Sequence, residues 1–372
     1  MSRWAPSSRQ REGRDLFQPT STGSRTLIVA CSSAGQQFRL FHSATGKETV
    51  LTIEHAIART RPKPWGSLDL RPWSEASTTD GPIGELWFER PDHAAPETAL
   101  LLKLLFTTEP LSIQVHPDDA FARSIGLANG KTEAWYILSA IAGAEVAVGL
   151  NYPRSAVELR TAIADGWIAN IVHWHPVHQG DVIFIPAGTI HAIGAGIVLA
   201  EIQQHSDATF RLFDYGRRRE LHIENAIAAA TAGPREDQAL PERLSGARMV
   251  LTVNPHFALE QIELDPGSVW MLDAPKETWL LAIEGHAQLG ATRLSPGEVV
   301  FLEADHAEIA VGADGLKALL AYPGPTINLD ALSERSAAEA GRVPDASSSA
   351  PLVPTSPGHG ALKQTETPNW PS

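Results

Sequence analysis

From about residue 51 to residue 335 the chain is written in short apolar runs parted by Gly, Pro, Asp and Asn. Ala99–Phe106, Leu111–His116, Glu133–Leu138, Val182–Ile185, Gly196–Gln204 and Ala208–Phe213 read as strands. Helical signals are few. Ser155-Ala-Val-Glu158 is a capping box that can open a helix running to about Ala164. His222–Ala230 is Ala-rich and stops before Gly233. Pro117–Ile125 can form a short helix with Asp118 and Asp119 favourable in its first turn. A second strand-rich stretch, about 249–322, carries Trp279–Ile283, Ala287–Leu289, Val299–Leu302 and Leu316–Ala321, punctuated by Gly285 and a Ser295-Pro296-Gly297 turn. The fold class that follows is mainly β. With 43% hydrophobic and 20% charged residues, a buried core is within reach.

A length of 372 residues suits two or three compact units at roughly 100–200 residues each. Residues 1–50 are rich in Ser, Thr, Gly and Gln. Their basic residues, Arg3, Arg9, Arg11, Arg14, Arg25, Arg39 and Lys47, outnumber Glu12, Asp15 and Glu48. They read as a flexible extension. The Pro-, Ser- and Thr-rich end, 336–372, reads as a disordered tail that cannot bury enough apolar surface to offset chain entropy. Between them the expected units are a strand-rich domain over 51–235 with short helical insertions and a second, smaller β-domain over 236–335. Leu27–Cys31 is shorter than the ~7–15 residues of a signal-peptide core. No apolar run approaches the ~18 residues of a membrane span. A net charge of −13 argues against nucleic acid as a partner. The single cysteine, Cys31, excludes an internal disulfide framework and an all-thiolate zinc site, and fits a reducing cytoplasm. The 14 histidines leave room for another kind of metal site.

Four segments carry candidate chemistry. In Leu111–His116, strand alternation puts Ser112, Gln114 and His116 on one face and Leu111, Ile113 and Val115 on the other. Such a polar face needs a polar interior or, as the plainer alternative, solvent beside an edge strand. Lys131 and Glu133 share a face in the next strand, as an ordinary surface pair also would. Gly180 to His191 fits Gly-x5-Pro-x-Gly-x2-His, the second motif of cupin barrels, in which a sharp corner delivers the histidine into the barrel. The consensus Asn four residues on is Ala195, and an empty barrel is the alternative. Glu201 and Arg211 follow, the latter between Phe210 and Leu212. A buried Arg there needs an anionic partner, and a structural Glu–Arg pair would satisfy it. Gln114, His116, Glu133 and His191 together offer an amide oxygen, two imidazoles and a carboxylate. That set suits a divalent ion such as zinc and leaves room for a water or substrate oxygen. His173, His175 and His178 also mimic a metal motif. They lead into the Gly180-Asp181 turn, Pro176 breaks their alternation, and they are expected to be exposed and non-ligating.

The stretches LSIQVHPDD, GKTEAWYIL, GDVIFIPAGTIHAI and EIQQHSDATFRLFDYGR resemble those of type I mannose-6-phosphate isomerases of the shorter bacterial form. The resemblance covers about residues 58–325 and includes Lys63-Pro64-Trp65-Gly66 and Ile83-Gly84-Glu85-Leu86-Trp87 near its start. It implies cupin-type (jelly-roll) β-barrels, one catalytic and one smaller and C-terminal. It implies one zinc ion per chain on Gln114, His116, Glu133 and His191, and reversible aldose–ketose isomerisation of mannose 6-phosphate and fructose 6-phosphate through a cis-enediol. Arg211 falls on the family's active-site arginine and Glu201 on its proposed acid/base, with Lys131 as rival. Ser112 and Lys131 fall on phosphate contacts, and Arg217 on a second basic residue. His205 stands where the family usually has Asn. The implied protein is a cytoplasmic monomer or small homo-oligomer acting on a small sugar phosphate. Another cupin phosphosugar isomerase, such as the cupin-type phosphoglucose isomerase, is the alternative, but that family has closely spaced histidines in its first motif, unlike Gln114-Val115-His116. An inactive sugar-phosphate-binding relative would have no need of all six residues.

Overall fold

The computed structural model describes residues 53–92, 94–235 and 241–335, so the expected extension over 1–50 and the tail over 336–372 lie outside the described residues. The described chain folds into three antiparallel sheets. A six-stranded sheet runs in the order Ile57–Ser67, Ile83–Glu89, Leu100–Thr107, Ile197–Gln204, Glu133–Ala140, Val182–Ile185. A five-stranded sheet runs Phe210–Phe213, Ile113–Val115, His191–Ile193, Glu145–Leu150, Val172–Pro176. The third, ten-stranded sheet takes the chain from Glu242 to Glu334 and also Glu54–His55, which pairs with Val299–Leu302. The mainly β class expected from the sequence is the one observed.

Side-chain alternation assigns each apolar set to a layer. In Leu100–Thr107 every residue is buried, so the run is continuously apolar apart from Lys103 and Thr107. Leu100, Leu102, Leu104 and Phe106 pack with Leu251, Phe257, Trp279 and Phe301 of the third sheet. Leu105 points the other way, into the space between the first two sheets, with Trp65, Trp135, Ile137 and Val148. Polar ties cross the first junction. Tyr136 Oη donates to Gln261 Oε1 at 3.0 Å, and Glu277 accepts from the amides of Ala99 and Leu100 and from Trp279 Nε1.

Helices cover the outer face of the five-stranded sheet, where Ile113, Val115, Leu159, Ile163, Leu212 and Ala226 share one cluster. Asp119–Ser124 starts from Asp118, whose side chain accepts from the Phe121 amide. Ala156–Ala164 starts from Ser155 with both bonds of its capping box formed. Ile223–Ala229 lies within the expected Ala-rich segment, and a further turn, Ile168–Ile171, carried no capping signal.

Gly285 does not end a strand, as its place in the sequence suggests. Thr278–Leu289 runs through it with register shifts on either side. Its φ of 73° and the approach of Gly315 O, 1.9 Å from where a Cβ would stand, admit only glycine in this bulge.

The third sheet buries one ion pair. Arg248 donates from Nε and Nη2 to both oxygens of Glu260 at 2.8 Å, and its remaining donors reach the carbonyls of Asn328 and Leu329. Tyr322 Oη donates to Glu260 Oε1 at 2.5 Å. Removing one partner strands the other charge in a dry interior. Glu260→Ala is therefore expected to lower unfolding stability by roughly 3–5 kcal/mol in a denaturant titration. A loss within about 0.5 kcal/mol, the range of an ordinary surface substitution, would show that the pair is not desolvated.

Candidate functional site

Sheet register builds the site in two facing rows. In the five-stranded sheet Gln114 stands opposite His191 on one side and Arg211 on the other. In the six-stranded sheet Glu201 stands between Lys103 and Trp135, and Gln203 stands beside Glu133. The barrel between the sheets therefore receives Gln114, His191, Glu133, Glu201 and Lys103. Ile113–Val115 is an inner strand, so the wet edge-strand alternative is not what forms. Regular alternation starts only at Ile113: Leu111 packs on the barrel side with Trp65 and Trp135, not with Ile113 and Val115.

His116, Glu133 and His191 are fully buried, and their ligand atoms lie within 4.8 Å of one another. The Nδ1 of His116 lies 2.7 Å from Ala208 O and that of His191 lies 2.9 Å from Thr189 O. A carbonyl oxygen only accepts, so each Nδ1 carries the proton and each Nε2 presents a lone pair. Those lone pairs face the Glu133 carboxylate, His116 Nε2 to Oε2 and His191 Nε2 to Oε1, both at 3.5 Å. Acceptors that face acceptors in a dry site require a cation. Lys131 supplies part of it, with Nζ 3.0 Å from Glu133 Oε2 and 3.2 Å from His116 Nε2. The Gln114 amide lies 3.3 Å from His191 Nε2, and a half-turn presents its oxygen at the same point.

Protonation states agree with this. Burial, reinforced by Lys131, pushes the His116 pKa down to about 4, and burial lowers that of His191. Burial opposes ionisation of Glu133, yet the Lys131 ammonium outweighs it and holds the carboxyl well below its usual range. Two neutral imidazoles and a carboxylate are the forms that bind a divalent ion. The group can hold a metal ion.

Beside this group lies a cavity of about 280 Å³, lined by Lys63, Lys103, Lys131, Arg211 and Arg219 against Glu85, Glu201 and Asp207, with Ser112, Gln114 and His222. Five cations against three carboxylates make it locally positive in a chain of net charge −13. Arg211 Nε is buried without a hydrogen-bond partner among the described residues, and burial with nearby Arg219 lowers its pKa. The structural Glu201–Arg211 pair that sequence left open does not form: Glu201 is bonded to Lys103 and Trp135. Ser112 Oγ donates to Gln114 Oε1 at 3.1 Å.

Arg217, expected beside Ser112 and Lys131, does not line the cavity. Its guanidinium is taken by Asp214, Glu109 and Pro110 O, and Arg219, two residues on, lines the cavity instead. His173 and His178 are exposed and His175 is half-buried; the ring centroids of His173 and His175 lie 4.1 Å apart with the rings tilted, and neither joins a three-donor group among the described residues. Sequence reasoning missed Lys63, Lys103 and Arg219. The signal for Lys103 was available: it is one lysine inside Leu100–Phe106, an otherwise apolar strand.

The fold and site define a mainly β, cupin-type protein with a buried His–Glu–His group able to hold a metal ion beside a cationic cavity. Among curated proteins, the chain is similar to the mannose-6-phosphate isomerase of Streptococcus mutans, at 41% identity over 181 residues, 46% of this chain and 56% of the relative. It is similar to a mannose-6-phosphate isomerase of Bacillus subtilis at 40% over 151 residues, 39% of this chain and 46% of the relative. The chain spans about half the length of the curated relatives it matches. Among solved structures, the mannose 6-phosphate isomerase from Bacillus subtilis superposes with a TM-score of 0.63 at 26% identity, covering 73% of this chain and 99% of that one. No family model matches.

The His116 shift gives a pH test. A neutral buried histidine contributes stability that is present above its unfolded value of 6.5 and lost as pH falls through about 4. Protons therefore compete with metal at His116 only towards that lower value. Protein dialysed at neutral pH is expected to retain about one divalent ion per chain by elemental analysis, and to release it as pH approaches about 4. His191→Ala is expected to carry little metal at any pH. Retention equal to wild type in that variant would remove His191 from the ligand set.

Proposed function

We propose that the protein is a zinc-dependent mannose-6-phosphate isomerase, EC 5.3.1.8, interconverting mannose 6-phosphate and fructose 6-phosphate. The observation that carries this reading is the junction of the His116–Glu133–His191 group with Glu201 and Arg211 on one locally positive cavity of about 280 Å³. That volume lies at the lower edge of small-molecule sites, near 300 Å³, and its charge suits an anionic substrate. The named relatives support the choice of substrate.

The reaction moves a proton between neighbouring carbons. In the open-chain aldose, a base removes the proton on C2, the electron pair forms the C1–C2 double bond, and the C1 oxygen takes a proton to give the cis-enediol. Reprotonation at C1, with loss of the proton on the C2 oxygen, gives the ketose. A C–H beside a carbonyl is a weak acid, so a positioned base and a stabiliser for the enediolate charge are both needed. Glu201 is the base in this reading. Arg211, with its Nε unpartnered among the described residues, faces the developing negative charge. Gln114, His116, Glu133 and His191 would hold the zinc ion, which when bound supplies Lewis-acid polarisation of the sugar oxygens.

Ser112, Lys63 and Arg219 take the phosphate, whose binding energy is remote from the reacting carbons. Arg217 is too engaged with Asp214 and Glu109 for the role expected of it. Lys131, expected in both phosphate binding and proton transfer, is committed to Glu133 and His116, which assigns it to the metal end. The enzyme works in the cytoplasm as a monomer or small homo-oligomer, in mannose metabolism and in supply of mannose 6-phosphate for GDP-mannose. The 51–235 unit is catalytic in this reading and the 236–335 unit supports it.

A coupled assay with mannose 6-phosphate tests this. Activity is expected to vanish on chelation and return with zinc. Arg211→Ala is expected to lower kcat by about 10²–10³ with metal content unchanged. Full activity in that variant would remove Arg211 from the mechanism. Absence of turnover by folded, metal-replete protein would overturn the function itself.

A further inference from the structure

Lys103 is the least expected side chain in the barrel. It is 3% exposed, in a strand whose other six positions from Leu100 to Phe106 are Leu or Phe. A buried ammonium is costly unless it is paired and hydrogen-bonded. Its Nζ donates to Glu201 Oε1 at 3.1 Å and to Gln203 Oε1 at 2.6 Å, and lies 4.6 Å from the centroid of the Trp87 ring. The Gln203 amide is itself oriented: its Nε2 donates to the carbonyls of Gln204 and Ser206, so its oxygen is left for Lys103. Lys103 and Glu201 stand directly opposite in neighbouring antiparallel strands.

The other oxygen of Glu201 is held as well. Trp135 Nε1 lies 3.2 Å from Glu201 Oε2 and 3.1 Å from Glu133 Oε1. Lys131, the second cation near Glu201, is 3.9 Å away and bonded elsewhere. The charged groups that face Glu201 from the packed strands are thus Lys103, Lys131 and, across Trp135, Glu133. Lys63, Glu85, Asp207 and Arg211 line the same cavity.

We propose that Lys103 is a positioning residue for proton transfer: it fixes the Glu201 carboxylate in one orientation. The inference rests on the reading of Glu201 as the base of an isomerase. Lys103 supplies the opposing charge from the wall of the barrel. It leaves the cavity side of Glu201 to the substrate.

The test compares wild type with Lys103→Met, Lys103→Gln and Lys103→Arg, each matched for metal content and thermal unfolding. Loss of the charge in the Met and Gln variants is expected to lower kcat about 10- to 100-fold with KM changed less than about threefold, in the range of general-base contributions. The acidic limb of kcat/KM against pH is expected to move upward by about 1–3 units, the size of an ion-pair effect on a carboxyl group. Lys103→Arg is expected to hold the limb near its wild-type position. If Lys103→Met does not fold, the Gln–Arg contrast carries the same comparison. A raised KM with an unmoved limb would make Lys103 a substrate contact and overturn the proposal. Unchanged kinetics in folded Met and Gln variants would reduce it to packing. An active wild type with either result overturns this inference alone, whereas an inactive, metal-replete wild type overturns the isomerase reading and this with it.

Discussion

A carboxylate without solvent exposure, set against two imidazole lone pairs, is the constraint around which this barrel is organised. Glu133 stays ionised because Lys131 outweighs the cost of its burial. His116 and His191 stay neutral because burial disfavours their charge and because Ala208 O and Thr189 O claim the Nδ1 protons. The result is a set of donors already in metal-binding form. Such preorganisation avoids a reordering cost on binding. The shell around it is rigid because each β-layer at this site is covered on its outer face. Helices lie outside the five-stranded sheet and the ten-stranded sheet lies outside the six-stranded one.

The two lysine–carboxylate contacts divide the labour of the site. Lys131 serves Glu133 and His116, and Lys103 serves Glu201, with Trp135 donating to both carboxylates. Each carboxylate thus has one cation within 3.1 Å. Arg211 differs, since its Nε has no partner among the described residues. A buried donor left unsatisfied costs free energy, and a ligand oxygen would recover it. The contrast separates cations that hold the site's own groups from one with a buried donor unpaired among the described residues.

Much of this was legible because the relevant elements are local in sequence. The capping box at Ser155 needs four residues and formed both of its bonds. The Gly180–His191 spacing encodes a corner, and Pro186 and Gly188 deliver His191 into the barrel. What was not legible depends on strand pairing. No local pattern sets Lys103 opposite Glu201, or joins Glu54–His55 to Val299–Leu302. Arg217 and Arg219 sit two apart in an irregular loop. Asp214, which binds both, leaves Arg219 in the cavity and draws Arg217 away from it. Alternation failed at Leu111 because Leu111 and Ser112 precede the regular strand, so the period of two had not begun.

His205, at a position where the resembled family usually has Asn, follows the same logic of support at one remove. Its ring lies 3.1 Å from Glu97 Oε1 and 3.0 Å from Thr98 Oγ1, and its carbonyl accepts from Asn129 Nδ2. Those contacts fasten the start of a turn that ends at Ala208, whose carbonyl orients His116. Ser206 strengthens the turn by donating to Asn129 O, while its own carbonyl receives Gln203. One short turn therefore reaches both halves of the candidate site. Through Ala208 it sets the tautomer of a candidate ligand, and through Gln203 it orients the amide that holds Lys103 against Glu201. A substitution that loosened the turn would disturb His116 and the Lys103–Glu201 pair together, although neither His205 nor Ser206 lines the cavity beside them.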